Sequence, residues 1–426
     1  MGSGFRTFQS GEVLTASNVQ NFLMEQSVMV FAGTAALGSA IGTAVEAGMV
    51  AYLTDADQLI HYVADAAQGT AWQALPMNGA PRNVIINGAM QVAQRGTSTT
   101  GITANGYYTA DRWNTQITTL GTWTQAVEND APTGSGFRKS LKMLISAGAE
   151  SPIGGANDLC LVEQVFEGQN LQQFLKGTSS AKQFSLSFWV KSNVTGTYIV
   201  RFNDADNTRT VAASYTISAS ATWEKKTITF PADTTGAFDN DNAASLRMQF
   251  WLAAGSSFTS GTLATTWQST TNANLAVGQT NLAAATNNYW QITGIQLEAG
   301  AVATPFEFED YGTTLAKCQR YYYLHVSGNS KTIGVGYYLS GTQAETVIQF
   351  PVTMRTAPSG VVASGTNFYV MESNATFDQF NLLEVARAGD NSLLLYAASD
   401  ISGTEYRALR MATNNASASI ALSAEL

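Results

Sequence analysis

The chain has 426 residues, enough for about three domains at ~100–200 residues each, and its 45% hydrophobic content excludes wholesale disorder. Only 12% of residues are charged, against a usual ~25%, so polarity comes from Thr, Ser, Asn and Gln with abundant Gly, a composition of strands joined by short uncharged loops. A net charge of −9 and a pI near 4.8 argue against a nucleic-acid partner, whose phosphates call for clustered Lys and Arg.

Residues 1–80 read as a small α+β module. Thr15 is a good N-cap for a helix in which Val19, Phe22 and Leu23 form one apolar stripe. An apolar run at 28–31 predicts a strand, and a Gly/Ala-rich stretch to Ala47 a short helix. Residues 48–63 read as a β-hairpin around the turn TDADQ, with Trp72 and Leu75 in a third strand. So small a module buries little surface alone; docking onto a larger body or onto copies of itself would complete its core. Residues 76–81, PMNGAP, read as a linker.

Residues 83–310 read as a long β domain. Alternating apolar and polar residues mark strands at 184–191, 196–203, 211–217, 223–230, 245–252 and 289–297. Their spacing is that of a sandwich or jelly roll. A helix is expected at 170–176, stopping at Gly177. Seven of the eight Trp fall in this region and none follows Trp290, which places a boundary soon after residue 300. Residues 311–324 predict a short helix running into a strand. The remainder, to residue 426, reads as a second β unit with strands near 334–339, 345–351, 360–363, 367–370, 382–388, 392–397 and 417–425. The expected fold class is therefore mostly β: a small α+β N-terminal module, a central jelly-roll β-sandwich and a C-terminal β-sandwich-like domain.

Chemistry is sparse. Two cysteines, Cys160 and Cys318, are expected as free thiols of a protein made in a reducing cytoplasm. No run approaches ~18 uninterrupted apolar residues, so no membrane insertion is expected. His61 and His325 lie in different modules, and the familiar metal, nucleophile and phosphate-loop patterns are absent. Glu163 and Glu167 would stand about 13 Å apart on one strand face at ~3.3 Å per residue, unsuited to the facing carboxylates of a glycosidase. The loops NDADN at 203–207 and DNDN at 239–242 concentrate oxygen ligands. Asp204, Asp206, Asp239 and Asp241 are candidate calcium ligands; Asp and Asn are equally the usual residues of hairpin turns. Aromatic rings can stack on the apolar face of a sugar. Trp189 and Trp251, flanked by apolar residues, are expected to pack the core. Tyr107, Tyr108 and Trp267, in Gly/Thr/Asn-rich loops, and Tyr337 are the candidates for carbohydrate contact.

Certain segments, in order, resemble the receptor-binding and tail-fibre proteins of tailed bacteriophages: NVIINGAMQVAQRG (83–96), YYTADRW (107–113), LSFWVK (186–191), WEKKTITF (223–230), WQITGIQLEAG (290–300), TPFE (304–307) and CQRYYY (318–323). GEVLTASNVQNFLMEQ (11–26) and GMVAYLTD (48–55) are similar to their virion-anchoring N-termini, and the ending SIALSAEL to a distal β domain. The resemblance implies a carbohydrate-binding-module type of jelly roll at 83–310 and a distal tip at 311–426. It implies a homotrimer joined through residues 1–80 to phage tail, neck or capsid proteins. It further implies a non-enzymatic virion component, made in the host cytoplasm, that binds host surface polysaccharide or lipopolysaccharide. A purely structural decoration fibre on capsid or neck is the alternative.

Overall fold

The computed structural model describes residues 28–42, 45–55, 58–65, 69–75, 82–374 and 376–426, with isolated positions 11, 13, 15 and 16. The helix expected after Thr15 and the linker at 76–81 lie outside the described residues. The described chain is mostly β and divides into two compact units. The first comprises the chain to Ala89, Thr100–Asn105 and Thr115–Phe308; the second comprises Met90–Thr99, Gly106–Asn114 and Glu309–Leu426.

In the first unit, the strands Met29–Phe31, Val50–Leu53, Gln58–Asp65 and Gly69–Ala74 form one sheet in that order, and the helix Thr34–Ile41 lies between the first two in sequence. The expected hairpin is present: Val50 pairs with His61 and Leu53 with Gln58, antiparallel. Leu37, Ala51, Leu53 and Ile60 make a small core, which Val302 and Ala301 complete from the far end of the sandwich sequence.

The rest of this unit is a jelly-roll-like β-sandwich. One sheet carries, side by side, Gln268–Ser269, Arg209–Ile217, Gly196–Asp204, Ala244–Ala254, Leu159–Glu167 and Asn114–Thr118. The other carries Glu224–Phe230, Phe184–Ser192, Tyr289–Ala299, Ser140–Ala147 and Thr122–Glu128. From residue 122 onward the chain passes repeatedly from one sheet to the other. Alternation along each strand sends one set of side chains between the sheets, where Phe188 meets Phe250 (ring centroids 5.2 Å), Phe184 meets Phe202 (5.7 Å) and Trp290 meets Phe250 (5.7 Å). The helix expected at 170–176 is instead two 3-10 turns, Gly168–Asn170 and Gln172–Phe174. Leu175 turns into the left-handed region (φ 50°), which ends any helix there and delivers Lys176 to the interior.

Two segments that bracket the sandwich in sequence close it in space. The Val84 N–H donates to the Leu297 carbonyl (3.0 Å) and that of Ile295 to the Gly88 carbonyl (3.1 Å). Asn83 Oδ1 accepts from the Ile85 and Leu297 N–H groups, both at 3.0 Å. Only glycine fits at 88, because a Cβ there would stand 2.2 Å from the Ile295 carbonyl oxygen. The Glu307 carboxylate then receives the N–H groups of Arg82 and Asn83 (2.9 and 3.0 Å).

The second unit has the helix Tyr311–Gln319, capped by Asp310, whose carboxylate accepts from the Thr313 N–H (2.9 Å). A small sheet orders Tyr322–Ser327, Ser419–Ser423 and Ser359–Val362. A larger one orders Thr376–Phe380, Tyr369–Ser373, Ala408–Thr413, Thr332–Ser340, Gln343–Gln349, Ser392–Ala397 and Glu384–Ala388. Tyr338, Tyr369, Phe380, Leu395 and Met411 are among the residues filling its core.

Candidate functional site

The outward face of the first sandwich sheet carries the most developed site. Pairing registers place its residues in lateral rows: Leu161 beside Trp251, Glu163 beside Gln249 and Arg201, Val165 beside Arg247 and Asn203. These rows floor a cleft of about 270 Å³ lined by Gln116, Thr118, Leu159, Leu161, Glu163, Arg201, Arg247, Gln249, Trp251, Phe258 and Leu275. One end is apolar. Leu161, Ile199, Trp251, Leu275 and Ala276 pack together there, with Phe258 against the Trp251 ring (centroids 5.3 Å). The other end is a connected polar network. Glu163 Oε1 accepts from Gln116 Nε2 (2.9 Å) and from the Arg247 guanidinium (3.1 Å), and Glu163 Oε2 accepts from Gln249 Nε2 (2.9 Å). Arg201 donates to Thr210 Oγ1 (2.7 Å), Gln249 Oε1 (2.6 Å) and Asn203 Oδ1 (2.7 Å).

The network is buried: Glu163 is 1% and Arg201 5% exposed. Burial pushes the Arg201 guanidinium down to about 10; the Glu163 carboxylate pulls it up and the Arg247 charge pushes it down again. Buried side chains held by several bonds are fixed before any ligand arrives, which removes an ordering cost from binding. At the apolar end the Trp251 Nε1–H is buried without a hydrogen-bond partner among the described residues. An unmet buried donor costs about 1–3 kcal/mol.

The sequence-predicted sugar-contact residues do not gather at this cleft. Trp267 belongs to the first unit; its Nε1 donates to the Pro231 carbonyl (2.9 Å) and its ring packs edge-on against Phe184 (5.8 Å). Tyr107, Tyr108 and Tyr337 belong to the second unit. Tyr107 is half-buried, its hydroxyl on the Leu426 carbonyl (3.3 Å) and its ring beside Arg95 (5.2 Å); Tyr108 is half-buried too. Tyr337 is exposed on the outer face of the larger sheet, with the exposed Val335, Leu339 and Val347 around it, while Tyr338 turns into the core. Trp251 is buried in an apolar cluster, as the sequence leads one to expect, and that cluster also lines the cleft.

The Asp/Asn loops adjoin each other. Asp206 accepts from the Asp239 N–H (3.0 Å), a bond between the two loops, and Asp241 from the Ala243 N–H (2.9 Å), a turn contact within its own loop. Asp204 is fully buried, and the Lys176 ammonium sits on it at 2.5 Å, held also by Asp233 (3.1 Å) and the Gly236 and Thr235 carbonyls (2.6 and 3.1 Å). Any metal ion at Asp204 would compete with this ammonium. Among the described residues no three His, Cys, Asp or Glu side chains gather as metal ligands.

The second unit has its own buried charge cluster, built from three motif segments and the ending SIALSAEL, which supplies Glu425. Gln94 and Arg95 come from one, Asp111 and Arg112 from the next, and Tyr321 and Tyr322 from the third. Glu425 pairs with both Arg95 (3.1 Å) and Arg112. The two guanidiniums lie 3.5 Å over the rings of Tyr322 and Tyr321. Gln94 donates to Asp111 (2.5 Å) and to the Tyr322 carbonyl (2.7 Å). Burial pushes the Asp111 carboxyl up to about 6 against the pull of Gln94 and Arg95. The folded state therefore takes this proton at a pH where the unfolded chain, near 3.8, does not. Stability linked to Asp111 rises as pH falls through 6 and is complete below 3.8, on the order of 3 kcal/mol in all. A protonated-carboxyl infrared band growing in with a midpoint near pH 6 is expected; a midpoint below 4.5 contradicts this assignment.

No family model and no curated protein matches the sequence. Among solved structures, a putative sugar binding protein from Bacteroides thetaiotaomicron is similar over 51% of this chain and 100% of its own, at 12% identity and a TM-score of 0.28. TmCBM61 in complex with beta-1,4-galactotriose is similar over 51% of this chain and 99% of its own, at 8% identity and a TM-score of 0.27. The enzymatically active domain of bacteriophage CBA120 tailspike protein 4 is similar over 51% of this chain, at 14% identity and a TM-score of 0.27; only 21% of that structure is covered.

Proposed function

We propose that the protein is a non-enzymatic fibre protein of a bacteriophage virion, homotrimeric, that attaches the particle to host surface glycan through the cleft of its jelly roll. The observation that carries the reading is the cleft's division into an apolar end and a pre-ordered polar end. A sugar ring has an apolar face and hydroxyl edges, so one end of the cleft suits the C–H face and the other the hydroxyls. At about 270 Å³ the cleft is below the ~300–1,000 Å³ usual for drug-sized ligands, which suits one or two rings of a chain. Affinity per site would then be modest and strengthened by several copies on one surface.

Glu163 is the only carboxylate among the lining residues, and it is already bonded to three side chains. Glycoside hydrolysis normally uses two facing carboxyl groups, so the cleft supports retention rather than cleavage. The sequence resemblance supplies the rest of the reading: residues 1–80 dock on tail, neck or capsid proteins.

Purified protein, with its mass followed by light scattering, is expected to bind host lipopolysaccharide or capsular polysaccharide saturably at trimer mass. Gln116→Ala and Phe258→Ala each weaken that binding about tenfold, the loss of one hydrogen bond or one ring contact. Wild-type protein that binds no fraction of the host envelope, while antibody to it leaves adsorption intact, would replace this reading with a decoration fibre.

A further inference from the structure

The cleft has a sign. Its lining holds two guanidiniums, Arg201 and Arg247, against the single carboxylate of Glu163, on a chain whose net charge is −9. The two arginines are not equivalent. Arg201 is buried and spends its donors on Thr210, Gln249 and Asn203. Arg247 has a third of its side chain exposed, and among the described residues its guanidinium bonds one side chain, Glu163. That carboxylate is shared with Gln116 and Gln249, so it is not dedicated to Arg247.

We infer that the cleft selects an acidic sugar, with the ligand's anionic group seated on the open side of the Arg247 guanidinium and its ring against the Phe258 end. The inference rests on the cleft being the glycan site. A guanidinium presents paired N–H donors that fit a carboxylate or a phosphate edge-on, and hydrogen bonds to charged groups are about twice as strong as neutral ones. Arg201 completes the case. Burial opposes its protonated form, and the pull of the Glu163 carboxylate exceeds the push of the Arg247 charge; an anion entering the cleft adds a further attraction to this poorly solvated cation. The acidic remainder of the molecule disfavours loose adsorption of polyanions, so any acid preference must arise locally.

The test uses a printed panel of bacterial-surface oligosaccharides, each uronic-acid member present in native and carboxyl-reduced form, with phosphorylated hexoses alongside. The full-length wild type is expected to bind native acids at least tenfold more tightly than their reduced partners. Arg247→Gln abolishes that difference, weakening native acids at least tenfold more than their reduced partners, and Phe258→Ala weakens both forms equally. Retention of phosphorylated hexoses but not uronic acids assigns the anion as phosphate. Equal binding of native and reduced forms by wild type overturns the acidic assignment and leaves the cleft as a neutral-sugar site. Arg247→Gln weakening both forms alike also overturns it. Binding that neither Arg247→Gln nor Phe258→Ala changes, or no binding at all, overturns the cleft itself. Thermal melting of both variants within a few degrees of wild type keeps these outcomes free of unfolding.

Discussion

Lys176→Met is expected to destabilise the first unit by about 3–5 kcal/mol, the usual cost of breaking a buried ion pair from one side. The Lys176 and Asp204 side chains are both fully buried. Without the ammonium, Asp204 keeps, among the described residues, only Asn207 as a hydrogen-bond donor (backbone N–H 3.1 Å, side chain 3.0 Å), whereas Asp233 retains Arg209 (2.8 and 2.9 Å). The loss is therefore centred on Asp204, and the double variant Lys176→Met/Asp204→Asn recovers much of it because the orphaned charge is gone. Calorimetry of the two variants decides the matter. A single variant within 1 kcal/mol of wild type, or a double variant worse than the single, contradicts the account.

Glu425→Gln is expected to cost the second unit a comparable ~3–5 kcal/mol. Arg112 is 1% exposed, and the carboxylate at 425 joins both it and Arg95 from the penultimate position of the chain. The tyrosine rings beneath the guanidiniums soften the loss, since a cation over a ring contributes ~0.5–2 kcal/mol, but they cannot neutralise the charge. Hydrogen exchange should show the change in residues 90–99, 106–114 and 309–426 and leave the sandwich protected. Uniform exchange across both units would mean that the cluster is not local in effect.

Much of the architecture was legible because half-buried strands announce themselves by alternation. The hairpin between Val50 and Asp65, the strands Phe184–Ser192 and Gly196–Asp204, and the helix Tyr311–Gln319 running into Tyr322–Ser327 all lie where the sequence predicts them. The cleft was not legible, and one strand explains why. Leu159–Glu167, LCLVEQVFE, has almost no alternation, since nearly every residue is buried on one face or the other. Its outer face mixes Leu159 and Leu161 with Glu163, and nothing in that mixture says that the three line a cleft. The place of Trp251 in the cleft was hidden too: apolar neighbours on both sides signal a core residue whether the burying surface is the opposite sheet or Phe258. The network of Glu163, Arg201, Arg247 and Gln249 joins three strands spread over some ninety residues, and only pairing register brings them into two adjacent rows. Lys176 was invisible for a different reason. Nothing in Leu-Lys-Gly says that Leu175 adopts a left-handed conformation and turns a charged side chain inward.

The two compact units exchange the chain more than once: it leaves the first after Ala89, returns at Thr100, departs again at Gly106 and comes back at Thr115. Recombination within the chain would find this an awkward joint. A crossover near residue 309 would give the incoming C-terminal half a Glu425 facing whatever the recipient happens to carry at positions 95 and 112. A viable chimera must inherit residues 90–114 and 309–426 together, or arise only between parents that already agree at those positions. Inheritance is thus expected to link residues 90–114 with 309–426, although the segment Thr115–Phe308 of the first unit separates them in the gene.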